Sequence, residues 1–442
     1  MNSLDEKGLN FNRKIKIDFE GGDLTSDAGL LLYKEFDEKI GFSQTIRENL
    51  YVEDSSAEAR THKNEDIVIQ RIYQRIAGYN TDDHADELRN DPTFTKVLGK
   101  EALASQPTIS RFNSRVSTET LKSYQQINEL LLDKIYAVER LDHIVFDLDS
   151  TNFETHGEQY GSNYNSHYGS NGYHPLLMFD GLTGDLIKAE LRSGNVYTSR
   201  QVVRFIGPVL KRYLKSYPYM TRFIRADSGF AVPALYEIAE QLETFYAIRL
   251  KANSTLYKLA TELTEKMEKL CKRDLFSYHV IYGEFMYKAS SWKTERRVVV
   301  KIEKPEGKML SNYTFIVTNM SLFPEDVVKF YCNRGTMENF IKEGKLGLSF
   351  DKMSSTDFIA NANKLQEMVL AYNFNNWFRR LCINKTTMKS MTIETIRMKF
   401  IKVAAKIVKG GRYLKFRLCS SYPYKQMFLK ILDNIEALPV TI

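Results

Sequence analysis

The residues whose types and spacing most plainly imply chemistry lie between Tyr331 and Lys345, in YCNRGTMENFIKEGK. A helix advances ~100° per residue, so a helix through this segment puts Tyr331, Arg334, Glu338 and Lys345 within an arc of roughly 60°. One carboxylate then shares a face with a phenolic hydroxyl and two cations, and Lys342 adds a further basic group to the stretch. A helix that needed only solubility would spread such groups around its surface. Concentrating them suits a site that holds a metal ion beside a phosphate. Glu343 falls roughly 120° from Tyr331 on the same wheel, which makes it the poorer ligand.

Two more acids belong with this segment. Asp149 ends the strand LDHIVFDLDST, in which Ile144, Phe146 and Leu148 face one way and Val145, Asp147 and Asp149 the other. Asp227 ends a second apolar strand, TRFIRADSGF. Side by side in a mixed sheet, these strands would bring both carboxylates to one edge, and the helix carrying Glu338 could pack over it. Three converging carboxylates make an oxygen-rich site for Mg²⁺, which keeps several waters and binds through few protein ligands. Two such ions ~3.5–4 Å apart suit in-line phosphoryl transfer with no covalent protein intermediate. Taken singly, each acid reads as a turn, cap or surface residue; the chemistry rests on their meeting. Asp147 shares the face of Asp149 and is its rival for the first position.

The elements that must position these groups follow from periodicity. A short strand or arm spans 11–23 and ends at Gly21-Gly22; a helical pattern then runs from Ser26 to about Ile135. Within it, Ser105-Gln106-Pro107 reads as a capped helix start, and the helix exposes Gln, Thr, Ser and Arg111, a surface suited to a DNA groove. From Leu141 the order is strand, hairpin around Asp180–Gly184, helix, strand, helix, strand. Residues 274–320 alternate apolar and polar at period two, the pattern of a separate antiparallel sheet. Helices resume at Pro324. Trp377, inside an apolar helix, reads as core.

At 442 residues the chain is long enough for two or three domains. No apolar run of about 18 residues exists for a membrane span, and the N-terminus lacks the apolar centre of a signal peptide. Cys271, Cys332, Cys382 and Cys419 form no C-x-x-C pair, so neither a zinc site nor a disulfide framework is expected, and a reducing cytoplasm is the simplest compartment. The net charge of +7 is uneven: Arg379 to Lys430 carries fourteen Lys/Arg, Arg412 among them, against the single acid Glu394. Interleaved with Tyr413, Phe416, Leu418, Tyr422 and Tyr424, this block should fold and attract a polyanion, most simply nucleic acid. His156, His167 and His174, spaced by eleven and seven, fit no compact metal motif. Neither G-x-x-x-x-G-K nor G-x-G-x-x-G occurs, so no nucleotide cofactor is expected.

The spacing Tyr331-x2-Arg334-x3-Glu338-x6-Lys345 resembles the Y-R-E-K signature of bacterial DDE transposases of the insertion-sequence-4 superfamily. The phrases DLTSDAGLLLY, QPTISRF, FDLDST, RADSGF, RGTMENFIKE and DKMSSTDFIANANKL are similar to the insertion sequence 1380 group. The likeness runs along nearly the whole chain. It implies an α/β RNase H-like catalytic core interrupted by a β-rich insertion, flanked by an N-terminal helical domain and a C-terminal helical basic region. The implied layout is an N-terminal arm and DNA-binding domain over 1–138, core over 139–256, insertion over 257–322, core again over 323–378 and basic region over 379–442.

The same resemblance implies a triad of Asp149, Asp227 and Glu338 holding Mg²⁺ (Mn²⁺ can substitute), with two ions per site. It places Tyr331, Arg334 and Lys345 on the phosphates of a cleaved or hairpinned end. Trp292 is offered either as a platform for a base drawn out of the duplex or as a sheet-packing residue. The implied substrate is double-stranded DNA, namely terminal inverted repeats and target, cut by a homodimer in the nucleoid-containing cytoplasm. The competing expectation is a transposase-derived DNA-binding protein that has lost cleavage; an RNase H-like nuclease without strand transfer is a third.

Overall fold

The structure is a computed structural model that describes residues 7–273, 277–308, 310–386, 388 and 390–439. It forms two compact units. One comprises Met1–Val138, Leu346–Ser349 and Leu370–Ile442; the other comprises Glu139–Lys345 and Phe350–Val369.

The second unit is built on one eight-stranded sheet. Its strands are β1 (His143–Ser150), β2 (Leu176–Asp180), β3 (Leu186–Glu190), β4 (Thr221–Ala226), β5 (Phe245–Leu250), β6 (His279–Tyr287), β7 (Arg296–Lys304) and β8 (Asn312–Thr318). They lie in the order β6-β7-β8-β5-β4-β1-β2-β3. β1, β4 and β5 run parallel, while β2 and β3 continue from β1 as an antiparallel hairpin. The parallel strands are connected through helices α1 (Val202–Ser216) and α2 (Pro233–Gln241), as crossovers between parallel neighbours require.

The period-two segment was expected to be a separate sheet, and this is corrected. β6–β8 are antiparallel, but β8 pairs with the outer edge of β5, Ala247 opposite Thr318, so the sheet is continuous. An exposed row of backbone donors and acceptors on β5 is satisfied in this way. Helices Ser254–Leu259 and Thr261–Arg273 precede β6, an addition that the strand periodicity of the region did not signal.

Period two decides what each face of the sheet meets. Phe146 of β1 packs edge-on to Tyr213 of α1 at 5.1 Å, and Tyr246 of β5 stacks on Tyr236 of α2 at 5.4 Å. The opposite face, with Ala247, Val299 and Ile316, is covered by Val327 and Val328 of α3 (Pro324–Cys332). A following helix, α4 (Gly335–Leu348), sets Phe340 against Phe179 of β2. Val145, Asp147 and Asp149 therefore share the face that carries α3.

The first unit holds the helices Leu30–Ile40, Phe42–Asn49, Asn64–Ala77, Gln106–Asn113 and Thr118–Val138. Its centre is aromatic: Phe374 stacks on Phe42 at 4.1 Å and Phe378 on Tyr33 at 4.1 Å, and Trp377 is fully buried, as expected. The basic C-terminal region is not simply helical. Strands Ala405–Lys409 and Leu414–Leu418 form a hairpin that pairs with Leu24–Thr25, and the helix Lys425–Glu436 follows. Gly410-Gly411 between two stretches of alternating apolar and basic residues is the local cause.

Candidate active site

Parallel pairing of β1 and β4 sets Ala226 opposite Leu148, so the residues that follow, Asp227 and Asp149, leave neighbouring strands at the same sheet edge. Asp149 Oδ1 accepts from the Ser150 amide at 2.9 Å. Asp227 caps the short turn Ser228–Phe230, its Oδ1 accepting from the Gly229 amide at 2.8 Å. The other oxygen of each carboxylate faces one guanidinium: Arg334 Nη2 lies 3.1 Å from Asp149 Oδ2 and 3.8 Å from Asp227 Oδ2. Arg334 is largely buried, and its Nε has no hydrogen-bond partner among the described residues.

Burial pushes the Asp149 carboxyl up to about 6; Arg334 pulls it down, whereas Asp227 and Glu338 push it further up. Glu338 is thus close enough for its charge to be felt at Asp149, although its side chain is exposed. Burial also lowers the Arg334 guanidinium, but Asp149 and Asp227 outweigh it and raise the group overall.

The signature segment is not one helix. α3 ends at Cys332 and α4 begins at Gly335. The junction is held by three-residue bonds, Arg334 N to Tyr331 O at 2.9 Å and Met337 N to Arg334 O at 3.0 Å. A glycine three residues before Glu338 weakens the helix where the chain must turn. Tyr331 therefore ends α3, half-buried, with its hydroxyl raised by burial. Arg334 sits in the junction, and Glu338 and Lys345 ride on α4. The four groups therefore do not share one helical stripe: Arg334, in the bend, contacts the two carboxylates, Lys345 contacts the loop after Asp149, and Glu338 is exposed on α4.

Asp147 and Asp149 are distinguished by their surroundings. Asp147 is fully buried and gripped by Arg225, whose Nε and Nη2 reach its two oxygens at 2.7 Å each. Asp149 stands at the strand end, on the wall of a cavity of about 680 Å³ that Asp227, Tyr164, Tyr168, Thr198 and Lys251 also line.

Lys345 is engaged: its Nζ donates to Thr151 Oγ1 at 2.8 Å and to the Asn152 carbonyl at 2.9 Å, bracing the loop after Asp149. Lys342 is exposed on α4. Trp292 is only 6% exposed and packs edge-on against Tyr236 and Tyr287, both at 5.3 Å. Of the two roles offered for Trp292, this burial and these edge-on contacts match the sheet-packing one. In the first unit, Arg111 is exposed on Gln106–Asn113, and Arg412 is exposed in the basic hairpin. His174 is buried, its Nδ1 2.8 Å from the Val196 carbonyl, which ties down its loop. Arg225 and Gly181 escaped the sequence reading. The available signal was that Arg225 precedes Asp227 by two, as Asp147 precedes Asp149.

Two adjacent carboxylates with hard oxygen donors, balanced by an internal cation, suit a divalent ion that binds through one or two carboxylates and completes its shell with water and phosphate. Among the described residues no three acidic, His or Cys side chains stand close enough to enclose a metal ion. The protein thus offers a partial donor set.

The sequence model of the family described as Transposase DDE domain group 1 matches residues 7–440. A search of curated proteins finds no match. Among solved structures, the cryo-EM structure of a piggyBac transposase synaptic complex with hairpin DNA is similar, with a TM-score of 0.45 and 13% identity, over 94% of this chain and 86% of that one.

Proposed function

The chain belongs to the Transposase DDE domain group 1 family, and from that premise we propose that it is a cut-and-paste DNA transposase with Asp149, Asp227 and Glu338 as its metal-binding carboxylates. We read it as a member of the insertion sequence 1380 group within the insertion-sequence-4 superfamily, on the phrases quoted above. The observation that carries the reading is the meeting of Asp149 and Asp227 around Arg334 at one sheet edge. The run β3-β2-β1-β4-β5, antiparallel then parallel, supports an RNase H-like core.

Asp149 and Asp227, joined by Glu338, would hold two Mg²⁺ ions, or Mn²⁺. Bound there, the ions supply an activated oxygen nucleophile and neutralise the leaving oxygen. The residues of the chain orient the DNA. Arg334 offers a planar fork to a phosphate, Tyr331 a hydroxyl beside it, and Lys342 an exposed ammonium. Hydrolysis of one strand leaves a 3′-OH and a 5′-phosphate. Attack of that 3′-OH on the opposite strand exchanges one phosphodiester for another, giving a hairpin end without ATP. Reopening and a second exchange join the end to target DNA.

The helical region over 1–138 and the basic region over 379–442 would grip the terminal inverted repeats, with Arg111 and Arg412 among the contacts. A homodimer would cut two ends together. No helix among the described residues is long and apolar enough to cross a membrane, and we place the protein with DNA in the cytoplasm.

The test is a labelled duplex carrying any inverted repeats found in the DNA on either side of the gene, incubated with Mg²⁺ and wild type or Asp227→Ala. Cleavage and joining by wild type alone support the reading. Binding without cutting by wild type would leave a DNA-binding relative that has lost catalysis, and cutting without a joined product would leave a nuclease.

A further inference from the structure

Behind the candidate carboxylates lies a second, buried charge pair. Asp147 and Arg225 are direct partners in the β1–β4 register. Each stands two residues before a candidate carboxylate, so the pair occupies the same sheet face one pleat behind Asp149 and Asp227. The side chains are 0% and 2% exposed. Arg225 uses its fork on both Asp147 oxygens at 2.7 Å, and its remaining Nη1 donates to the Phe330 carbonyl at 2.8 Å. The guanidinium also lies 5.1 Å from the centre of the Phe330 ring. Phe330 directly precedes Tyr331 and stands four residues before Arg334.

Stability is a poor explanation for such a pair, because well-packed apolar residues of similar size often do as well or better. Space around it is reserved: a Cβ on Gly181 would come within 2.3 Å of both Arg225 Nη2 and Asp147 Oδ2. One guanidinium therefore ties together β1, β4 and the end of α3, the three segments that deliver Asp149, Asp227 and Arg334.

We infer that Asp147 and Arg225 are positioning residues for strand cleavage, fixing the separation of Asp149, Asp227 and Arg334 through the shared fork and the Phe330 carbonyl. The inference rests on the reading of Asp149 and Asp227 as the catalytic pair.

Three variants test it on the full chain: Arg225→Lys, which keeps charge but loses the fork; the paired change Asp147→Leu with Arg225→Met; and Gly181→Ala, which crowds the pair without removing it. Each is assayed for its melting transition, end-duplex affinity, single-turnover cleavage and Mn²⁺ binding without DNA. A misplacement near 1 Å costs about 100-fold in rate, so the first two should cleave about 30–100-fold more slowly. Their DNA affinity should stay within about 3-fold of wild type, while Mn²⁺ binding weakens about 5-fold or more; Gly181→Ala should show the same pattern at about 5–10-fold in rate. A purely structural pair predicts a lowered melting temperature with wild-type cleavage and Mn²⁺ binding per folded molecule, and that result overturns the inference. Should the first two fail to fold, Gly181→Ala decides by the same criteria. Asp149→Asn and Asp227→Asn run alongside. If either still cleaves, the catalytic reading fails; if both are inactive and the Asp147–Arg225 variants are normal, only the positioning role fails.

Discussion

Replacing Arg334 by Gln should tighten divalent-ion binding in the absence of DNA while slowing cleavage. In the structure the guanidinium stands where positive charge is needed, 3.1 Å from Asp149 and 3.8 Å from Asp227. The first contact is an ion pair between two largely buried groups, and it contributes about 1.5–3 kcal/mol, the low end for close, desolvated charge pairs. The second reaches a carboxylate that is 41% exposed, so it adds at most about 1 kcal/mol. An ion entering between the carboxylates must displace this internal cation. Each 1.4 kcal/mol is a factor of ten, so removing the competitor should tighten Mn²⁺ binding about 10–100-fold. Cleavage should fall about 100-fold, because a phosphate loses its fork-shaped partner.

The assay is Mn²⁺ titration of DNA-free wild type and Arg334→Gln, followed by calorimetry or electron paramagnetic resonance at pH 8. High pH matters. Arg334 pulls the Asp149 carboxyl downward against burial, so its loss lets that acid hold its proton to higher pH. Unchanged or weaker Mn²⁺ binding by a folded Arg334→Gln would refute the competition argument.

The Asp149 carboxyl, pushed up to about 6, gives a pH dependence. Metal must displace its proton, so Mn²⁺ affinity should drop as pH falls through about 6, well above the usual carboxylate range. The stability sign is opposite: between about 6 and the ordinary value near 4 the folded state binds the extra proton, so this group favours folding as pH falls. Equilibrium melts of metal-free wild type and Asp149→Asn over that range would separate the contribution. Lys345→Met should slow cleavage about 10-fold by releasing the Thr151 and Asn152 loop, with the salt dependence of DNA binding unchanged; a salt slope reduced by about one would put the ammonium on a phosphate instead. Replacing Arg412, Lys415 and Arg417 of the exposed hairpin by Ser should lower that slope by about 2–3. In the first unit, Gly29→Ala would drive a Cβ to 1.6 Å from the Phe400 carbonyl oxygen; calorimetry should register a loss of about 3 kcal/mol, the cost of severe overpacking.

Much of the second unit was legible because its strands obey simple periods. Alternation in LDHIVFDLDST and TRFIRADSGF assigned Asp149 and Asp227 to strand ends, and the two strands are neighbours in the sheet. Two features depended on information that a linear pattern lacks. Whether β8 finds β5 is a matter of which sheet edge is open, and alternation in 274–320 says only that the segment is strand. Likewise the bend at Asn333–Gly335 overrides a helical wheel drawn through the whole signature. Gly335 was visible in the sequence, but the need for a turn comes from packing α3 against Val299 and Ile316.

The choice between Asp147 and Asp149 shows the same boundary most sharply. Both sit on one strand face at period two, so the sequence supplies no local difference between them. The difference appears only once β4 lies parallel to β1 with Arg225 opposite Asp147. Burial then pushes Asp147 up to about 6 even against the Arg225 charge, and its two oxygens are already engaged. An oxygen spent on a buried fork has little left for a metal ion, whereas Asp149 keeps one oxygen directed at the guanidinium of Arg334, a single ion pair at 3.1 Å. An aspartate two residues inside a strand end can thus serve as the anchor for the one at the end. Asn at position 147 would separate the roles: as a metal ligand its loss should abolish Mn²⁺ binding outright, whereas as an anchor it should weaken binding in step with the displacement of Arg225.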